Sequence, residues 1–376
     1  MISAPWTPAV LPFIVAFVVC GASVPATMWL ARRTGAVAVP DDERHLHSVP
    51  TPRLGGLAMV LGFAVAVGAF GSPVEHRWEV VAICVAIAVA MTIDDLLNLP
   101  WWTKFVLEAG AGVAVAIAGI TISFIALPGD HTIAFGLLAA PITIAWIVGM
   151  QTSINLIDGV DGVAAGVVAI VAMVMLLAAV NRLTPDGGVQ SGVIVLAGAL
   201  MGCCGGFLLW NFAPAKTFMG DSGSHFLGVA LGMMTILGVA KVAVALSLAV
   251  PLVALGMPIG DTLWAIVRRY RNGSGITSPD AGHIHHRLLD LGLTPRETAA
   301  TFYLVTAILG CFSLAFFGHK KILTVAVVLL AVLLAALIQR NRRRPPDEVL
   351  GVRVSGRAVE RGVAASRRAR HGGEVD

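Results

Sequence analysis

The apolar residues of this chain come in blocks of about 17–25 residues, and that blocking constrains its fold more than any single motif does. At about 1.5 Å per residue, a helical block of that length crosses a hydrocarbon core about 30 Å thick. Only 13% of the 376 residues are Asp, Glu, Lys or Arg, while 57% are apolar and the mean hydropathy is +0.85. A soluble domain carries roughly 25% charged residues. No water-soluble fold can hide this much apolar surface, so a soluble enzyme, a coiled coil and a disordered chain are excluded. A β-barrel is excluded as well, because its strands would read as alternating segments of roughly ten residues. The composition predicts an all-α polytopic membrane protein.

Eleven transmembrane helices are expected, at about 10–31, 54–70, 79–97, 103–120, 136–154, 162–180, 189–210, 223–239, 242–267, 298–317 and 321–339. The first reads as a retained span and not a cleaved signal, because Met1 to Val10 holds no Lys or Arg while Arg32 and Arg33 follow the apolar run. With this count, 21 Lys and Arg residues fall on one face and five on the other. By the positive-inside rule the N-terminus is outside and the C-terminus is cytoplasmic. The expected organisation is a membrane domain over residues 1–340 and a basic, disordered cytoplasmic tail over 341–376. Thr121 to Phe135, with Pro128-Gly129-Asp130 at its centre, reads as a short outer hairpin. The five cysteines lie inside apolar spans, without spacing that suggests zinc or a disulfide framework.

In so apolar a chain the ionisable groups carry the information, because each is costly near hydrocarbon. Five clusters fall on the predicted inner face. The first runs from Pro40 to Arg53 and on to Gly55-Gly56, where bare glycines and Arg53 at a helix start make an anion site. The second is Asp94-Asp95, with Lys104 shortly after; adjacent carboxylates call for a cation or a proton between them. The third, Asn155-Leu156-Ile157-Asp158-Gly159-Val160-Asp161-Gly162, repeats oxygen ligands every third residue and does not fit an EF-hand. The fourth, Lys216 to Ser224, sets Asp221 among glycines and hydroxyls at a span start, where it could ligate a metal or cap the helix. The fifth gathers Arg268, Arg269, Arg271, His283, His285, His286 and Arg287 in one loop, as phosphate donors or, for the arginines, as topology anchors. Zinc at the histidines is disfavoured by the cationic arginines beside them.

Acidic groups for a hard cation, basic groups for phosphates and a membrane inner surface together fit phosphoryl transfer between a soluble nucleotide and a lipid. A lipid phosphate carries about −1.5 to −2 charges near neutral pH. Each like-charge contact with a nucleotide diphosphate at about 4 Å opposes approach by about 4 kcal/mol at an effective dielectric near 20. The nucleophile is already ionised, so neutralisation and positioning matter more than a strong base.

The runs His47-Ser48-Val49-Pro50-Thr51-Pro52-Arg53-Leu54-Gly55-Gly56, Asp94-Asp95, Asn155 to Gly162, Phe218-Met219-Gly220-Asp221-Ser222-Gly223-Ser224 and His283-Ile284-His285-His286-Arg287 resemble the polyprenyl-phosphate N-acetylhexosamine-1-phosphate transferases. The resemblance covers about residues 10–340, in order. It implies transfer of N-acetylglucosamine 1-phosphate from UDP-GlcNAc to a polyprenyl phosphate, undecaprenyl or decaprenyl, with release of UMP. That is the first membrane step of cell-envelope polysaccharide or teichoic-acid-type synthesis. By the same resemblance Mg²⁺, with Mn²⁺ able to substitute, is held by Asp221, Asn155 and Asp95. Asp94 and Asp95 orient or deprotonate the lipid phosphate, and Lys104 neutralises it. Asp158 and Asp161 serve the uridine or metal region. Arg53, Lys216, Arg268, Arg269, Arg271, His283, His285 and His286 contact the phosphates, His283 being counted with the catalytic group. The implied location is the cell inner (plasma) membrane, multi-pass, with no nucleic-acid partner; a homodimer stays open. His-Ile-His-His resembles the N-acetylglucosamine branch, whereas the phospho-N-acetylmuramoyl-pentapeptide branch tends to three consecutive histidines. Outside the family, Asp94-Asp95 superficially resembles a prenyltransferase diphosphate motif without its second copy. A cation-coupled transporter would carry its acids near the bilayer midplane.

Overall fold

A computed structural model describes residues 6–38, 50–97, 99–127, 131–180, 190–240, 267, 271, 294–316 and 328. The chain divides into a unit up to Leu329 and a second from Leu330 onward, and every described residue belongs to the first. The expected spans 242–267 and 321–339 therefore lie outside the described residues, except for Val267 and Val328, as does the expected domain boundary at 340 with the basic tail.

Among the described residues the architecture is helical: α1 Val10–Thr34, α2 Gly55–Phe70, α3 Arg77–Leu97, α4 Trp101–Ile117, α5 Ala139–Ile157, α6 Val163–Val180, α7 Ser191–Asn211, α8 Gly220–Ala240 and α9 Pro295–Phe316. Five stretches among the described residues are long and apolar enough to cross a membrane: Thr7–Thr34, Arg77–Leu97, Gly136–Ile157, Val163–Val180 and Ser191–Asn211. Two short ribbons accompany them. β1 (Val37–Ala38) pairs antiparallel with β2 (Thr51–Pro52), and β3 (Phe124–Leu127) pairs antiparallel with β4 (His131–Ala134) in the register Phe124↔Ala134 to Leu127↔His131. The second ribbon is the hairpin expected between Thr121 and Phe135.

Two helices form the centre. α7 is buried along most of its length and packs on α1, α2 and α6. Lipid tails supply no hydrophobic drive between helices, so close backbone contact through small residues takes its place. Gly198, Gly202 and Gly206 form such a stripe. A Cβ on each would stand 2.4, 2.3 and 2.4 Å from the carbonyl oxygens of Ala9, Phe13 and Phe17 on the N-terminal side. α8 is the other centre. It is buried from Ser222 to Leu237 and packs on α3, α5 and α2.

The segment before α2 zips onto the segment before α8. Phe218 N–H donates to Pro52 O at 2.8 Å, Gly55 N–H to Phe218 O at 3.0 Å and Gly56 N–H to Met219 O at 2.9 Å. The fit needs bare backbone, since a Cβ on Gly56 would lie 2.3 Å from Gly223 N. Arg53 is thereby delivered to the first turn of α8. Because α3, α5 and α7 end where α4, α6 and α8 begin, their polar termini gather at one end of the bundle.

Candidate active site

The organising contact is between the last turn of α3 and the first turn of α8. Asp95 is 3% exposed; its Oδ1 accepts from Asp221 N–H at 3.0 Å and its Oδ2 from Ser222 N–H at 3.1 Å. The first amides of a helix have no partner inside it and carry partial positive charge, so a buried carboxylate there is doubly favoured. Arg53 Nη2 lies 3.8 Å from Asp95 Oδ1.

Asp94 faces the neighbouring helix start. Its Oδ1 accepts from Leu99 N–H at 2.9 Å, closing the turn into α4. Its Oδ2 lies 2.7 Å from Lys104 Nζ, which also donates to Asp221 Oδ2 at 2.6 Å. Lys104 thus bridges carboxylates from α3 and α8, and the triad keeps an excess of one negative charge. The lysine does not stand between the neighbours Asp94 and Asp95; their carboxylates turn to different partners, Asp94 to Lys104 and Asp95 to the amides that open α8.

The loop between α5 and α6 closes the other side. Asn155 Oδ1 accepts from Ser224 Oγ at 3.0 Å, joining the end of α5 to the α8 turn that carries Asp221. Asp161 Oδ2 accepts from Ala215 N–H at 2.9 Å. Gly162, at φ 76°, donates its N–H to Asn211 Oδ1 at 2.9 Å and accepts from Tyr303 OH at 2.6 Å. Asn211 Nδ2 donates to Thr217 O at 2.9 Å, so the loops after α5 and α7 are one tied unit. Asp158 is the cap residue at the C-terminal end of α5. Burial, and then the negative charges of Asp221, Asp95 and Asp161, push its carboxyl well above the usual carboxylate range, with no hydrogen-bond donor among the described residues to offset them.

Asp94, Asp95, Lys104, Asn155, Asp158, Asp161, Asp221 and Arg53 therefore come together. Lys216 stands 5.6 Å over the Trp210 ring and makes no described ion pair with this group. Arg271 is exposed, while Arg268, Arg269, His283, His285 and His286 lie outside the described residues.

Sequence reasoning missed two members. One turn beyond Lys104, Glu108 Oε1 lies 2.9 Å from Nε2 of His225, which is one turn beyond Asp221. Glu108 Oε2 lies 3.2 Å from Thr152 Oγ1, whose hydroxyl also reaches Val148 O at 2.9 Å. The signal was available: each is an ionisable residue inside an apolar helix.

Residues 78–239 match the sequence profile of glycosyl transferase family 4. Over 302 residues the chain is 36% identical to a probable undecaprenyl-phosphate N-acetylglucosaminyl 1-phosphate transferase of Bacillus subtilis (strain 168), covering 79% of this chain and 81% of the relative. The chain belongs to glycosyl transferase family 4. It is also 36% identical over 327 residues to the decaprenyl-phosphate N-acetylglucosaminephosphotransferase of Mycobacterium tuberculosis (strain ATCC 25618 / H37Rv), covering 80% of each chain. A phospho-N-acetylmuramoyl-pentapeptide-transferase of Synechococcus sp. (strain JA-2-3B'a(2-13)) is 32% identical over 281 residues, covering 71% of this chain and 79% of the relative.

The family 4 segment contains the whole carboxylate group, Lys104, Glu108 and His225, but neither Arg53 nor the basic loop from Arg268. Among the described residues, no three His, Cys, Asp or Glu side chains converge as a metal cage of their own. Mg²⁺ is usually held by one or two carboxylates plus substrate phosphates and retains water. Asp221 and the amide oxygen of Asn155, linked through Ser224, are hard oxygen donors of this kind. Each Asp95 oxygen accepts one described hydrogen bond and keeps a second lone pair.

Proposed function

We propose that this protein transfers N-acetylglucosamine 1-phosphate from UDP-GlcNAc to a polyprenyl phosphate at the cytoplasmic face of the plasma membrane, releasing UMP. The reading includes eleven spans with the N-terminus outside and the C-terminus inside, an orientation supported by the 21-to-5 division of Lys and Arg that this count gives. The observation that carries it is the Lys104 bridge. One ammonium, two carboxylates and the first turn of a helix meet at one end of an apolar bundle, where a lipid headgroup and a soluble nucleotide can both arrive. The activities named for the Bacillus and Mycobacterium relatives support this substrate class.

In this reading Asp221 and Asn155 hold Mg²⁺, with Asp95 behind them setting the start of α8. When bound, the metal neutralises the diphosphate and polarises its phosphoryl oxygens. Lys104 receives the lipid phosphate and offsets the repulsion between two anionic substrates. Asp94 aims Lys104 by holding its ammonium at 2.7 Å, and it caps the α3–α4 turn. Asp158 and Asp161 face the nucleotide side of the cluster, and Arg53 reinforces the charge balance at Asp95. The histidines and arginines of the loop from Arg268 to Arg287 grip the diphosphate.

Incubating the purified full-length chain with polyprenyl phosphate, Mg²⁺ and either UDP-GlcNAc or the UDP-muramoyl-pentapeptide nucleotide tests the reading. UMP release and a labelled lipid product are expected with UDP-GlcNAc. Turnover of the pentapeptide nucleotide alone would instead place the chain in the peptidoglycan branch. Removing divalent metal with EDTA should stop turnover, and added Mg²⁺ or Mn²⁺ should restore it.

Asp94→Asn tests the division of labour. The substitution removes the charge that aims Lys104 while keeping the shape of the α3–α4 turn. The expected result is a rise of about tenfold in KM for polyprenyl phosphate, with KM for UDP-GlcNAc changed less than about threefold. A loss confined to donor affinity would contradict this role.

A further inference from the structure

Among the described residues, two polar side-chain contacts connect α4 to α8, one turn apart. The outer one joins Lys104 to Asp221 at 2.6 Å, and the inner one joins Glu108 to His225 at 2.9 Å. The outer contact lies where substrates bind. A phosphate arriving at Lys104 competes for the ammonium with Asp221, and a metal at Asp221 competes with Lys104. The inner contact is different, because His225 is 0% exposed and Glu108 is 8% exposed.

The hydrogen bonds around the inner contact hold three helices. His225 Nδ1 lies 2.8 Å from the carbonyl oxygen of Asp221, closer than the 3.3 Å to Ser224 Oγ. A carbonyl can only accept, so Nδ1 carries a hydrogen. The Nε2–Oε1 contact to Glu108 then holds one proton, whichever atom it sits on. Thr152 Oγ1 of α5 lies 3.2 Å from the second carboxylate oxygen, but its single hydrogen also has Val148 O at 2.9 Å, so the firmer tie to α5 is Gln151 Nε2, which donates to Glu108 O at 3.2 Å. α4, α5 and α8 are therefore pinned at one buried point directly behind the site.

We propose that Glu108 and His225 are positioning residues for the transfer, forming a rung that keeps α4 in register with α8 while the Lys104–Asp221 contact opens for substrates. This rests on the transferase reading above. Neither side chain reaches the reacting atoms; they set where Lys104 and Asp221 stand. Burial makes the rung inaccessible to phosphates, so it persists through turnover.

The test uses the full-length chain in detergent or nanodiscs, with Glu108→Ala, Glu108→Gln, Glu108→Asp and the double variant Glu108→Ala/His225→Ala. Steady-state kinetics are measured per folded molecule, and amide hydrogen exchange is followed in the first turn of α8 without substrates. Glu108→Ala should lower kcat at least about 20-fold, leave KM for UDP-GlcNAc within about threefold, and speed exchange at Asp221 and Ser222 about tenfold or more. Glu108→Gln can donate to Nε2 and rebuild the rung, so it should stay within about fivefold of wild-type kcat. The double variant should lose no more than Glu108→Ala alone, because the two act as one unit.

Should Glu108→Ala fail to fold, Glu108→Asp, which keeps the charge but draws the carboxylate one methylene back from His225 Nε2, should still lower kcat about threefold or more and quicken exchange in that turn. The proposal is overturned if Glu108→Gln is as impaired as Glu108→Ala. It is equally overturned if exchange is unchanged, or if kcat is kept while exchange quickens. Absence of turnover by the wild type with every donor would overturn the transferase reading instead, and the exchange comparison would still decide whether the rung holds the α8 turn.

Discussion

Asp221→Ala is expected to reduce UMP release by about a thousandfold or more while leaving the protein folded and in the membrane fraction. The size follows from three losses at one atom group. The principal hard ligand for Mg²⁺ disappears, and withdrawing one fixed electrostatic contact from a reacting phosphoryl group typically lowers kcat by about 10²–10³-fold. Lys104 also loses its 2.6 Å partner and keeps only Asp94, so the ammonium swings toward α3. The metal-free repulsion between lipid phosphate and nucleotide then opposes every encounter. Folding should survive, because Asp95 binds the backbone amides of Asp221 and Ser222, and those amides remain in the variant. Asp221→Asn keeps the shape and removes the charge; it should be nearly as inactive as Asp221→Ala. Radiolabel transfer together with size-exclusion behaviour reads both quantities. Substantial Mg²⁺-dependent turnover in either variant would remove Asp221 from the site.

The helices were legible because hydropathy and membrane thickness leave few choices. The expected spans 54–70, 162–180 and 189–210 correspond to Gly55–Phe70, Val163–Val180 and Ser191–Asn211. Where edges moved, the backbone or a buried partner decided. The expected 103–120 is Trp101–Ile117, because Pro100 sets the N-terminal boundary and Gly119 turns the chain at φ 81° despite the apolar residues beyond. The expected 136–154 is Ala139–Ile157 with a 3-10 turn at Gly136–Leu138. Ser153 is buried and Asn155 meets Ser224, so polar residues that look like a helix end sit instead inside one. Asp94, Asp95 and Asp221 stood out because charge is scarce here. What Asp95 does with its charge did not, since its partners are amides 126 and 127 positions away that only packing supplies. Glu108 and His225 escaped for the same reason: each alone looks like a lone polar residue in an apolar run, and their pairing spans 117 positions.

Gly220→Ala should cost more activity than stability arithmetic for one methyl group would suggest, and Gly35→Ala shows why. Both glycines have positive φ, at 71° and 79°. A residue with a Cβ in this region pays roughly 1–2 kcal/mol in torsional strain. At Gly35, the cap of α1, a Cβ would meet nothing within 4 Å, so strain is the whole effect. Gly35→Ala should therefore lower thermal stability slightly and leave kcat unchanged. At Gly220 the same Cβ would stand 2.2 Å from Arg53 O and 2.6 and 2.8 Å from the two Asp95 carboxylate oxygens. The Arg53 oxygen belongs to the backbone segment zipped against Phe218, so no rotamer relieves it. Either that segment withdraws or the start of α8 shifts, and in both cases Asp95 loses its grip on Asp221 and Ser222. A displacement near 1 Å at a catalytic group can lower the rate about 10²-fold, so Gly220→Ala is expected to lose at least that much kcat. Assaying both variants side by side at matched folded concentration separates torsion from collision. Equal, near-wild-type kcat in the two would mean that the close approach of Arg53, Asp95 and the first turn of α8 does not set the geometry of the reaction.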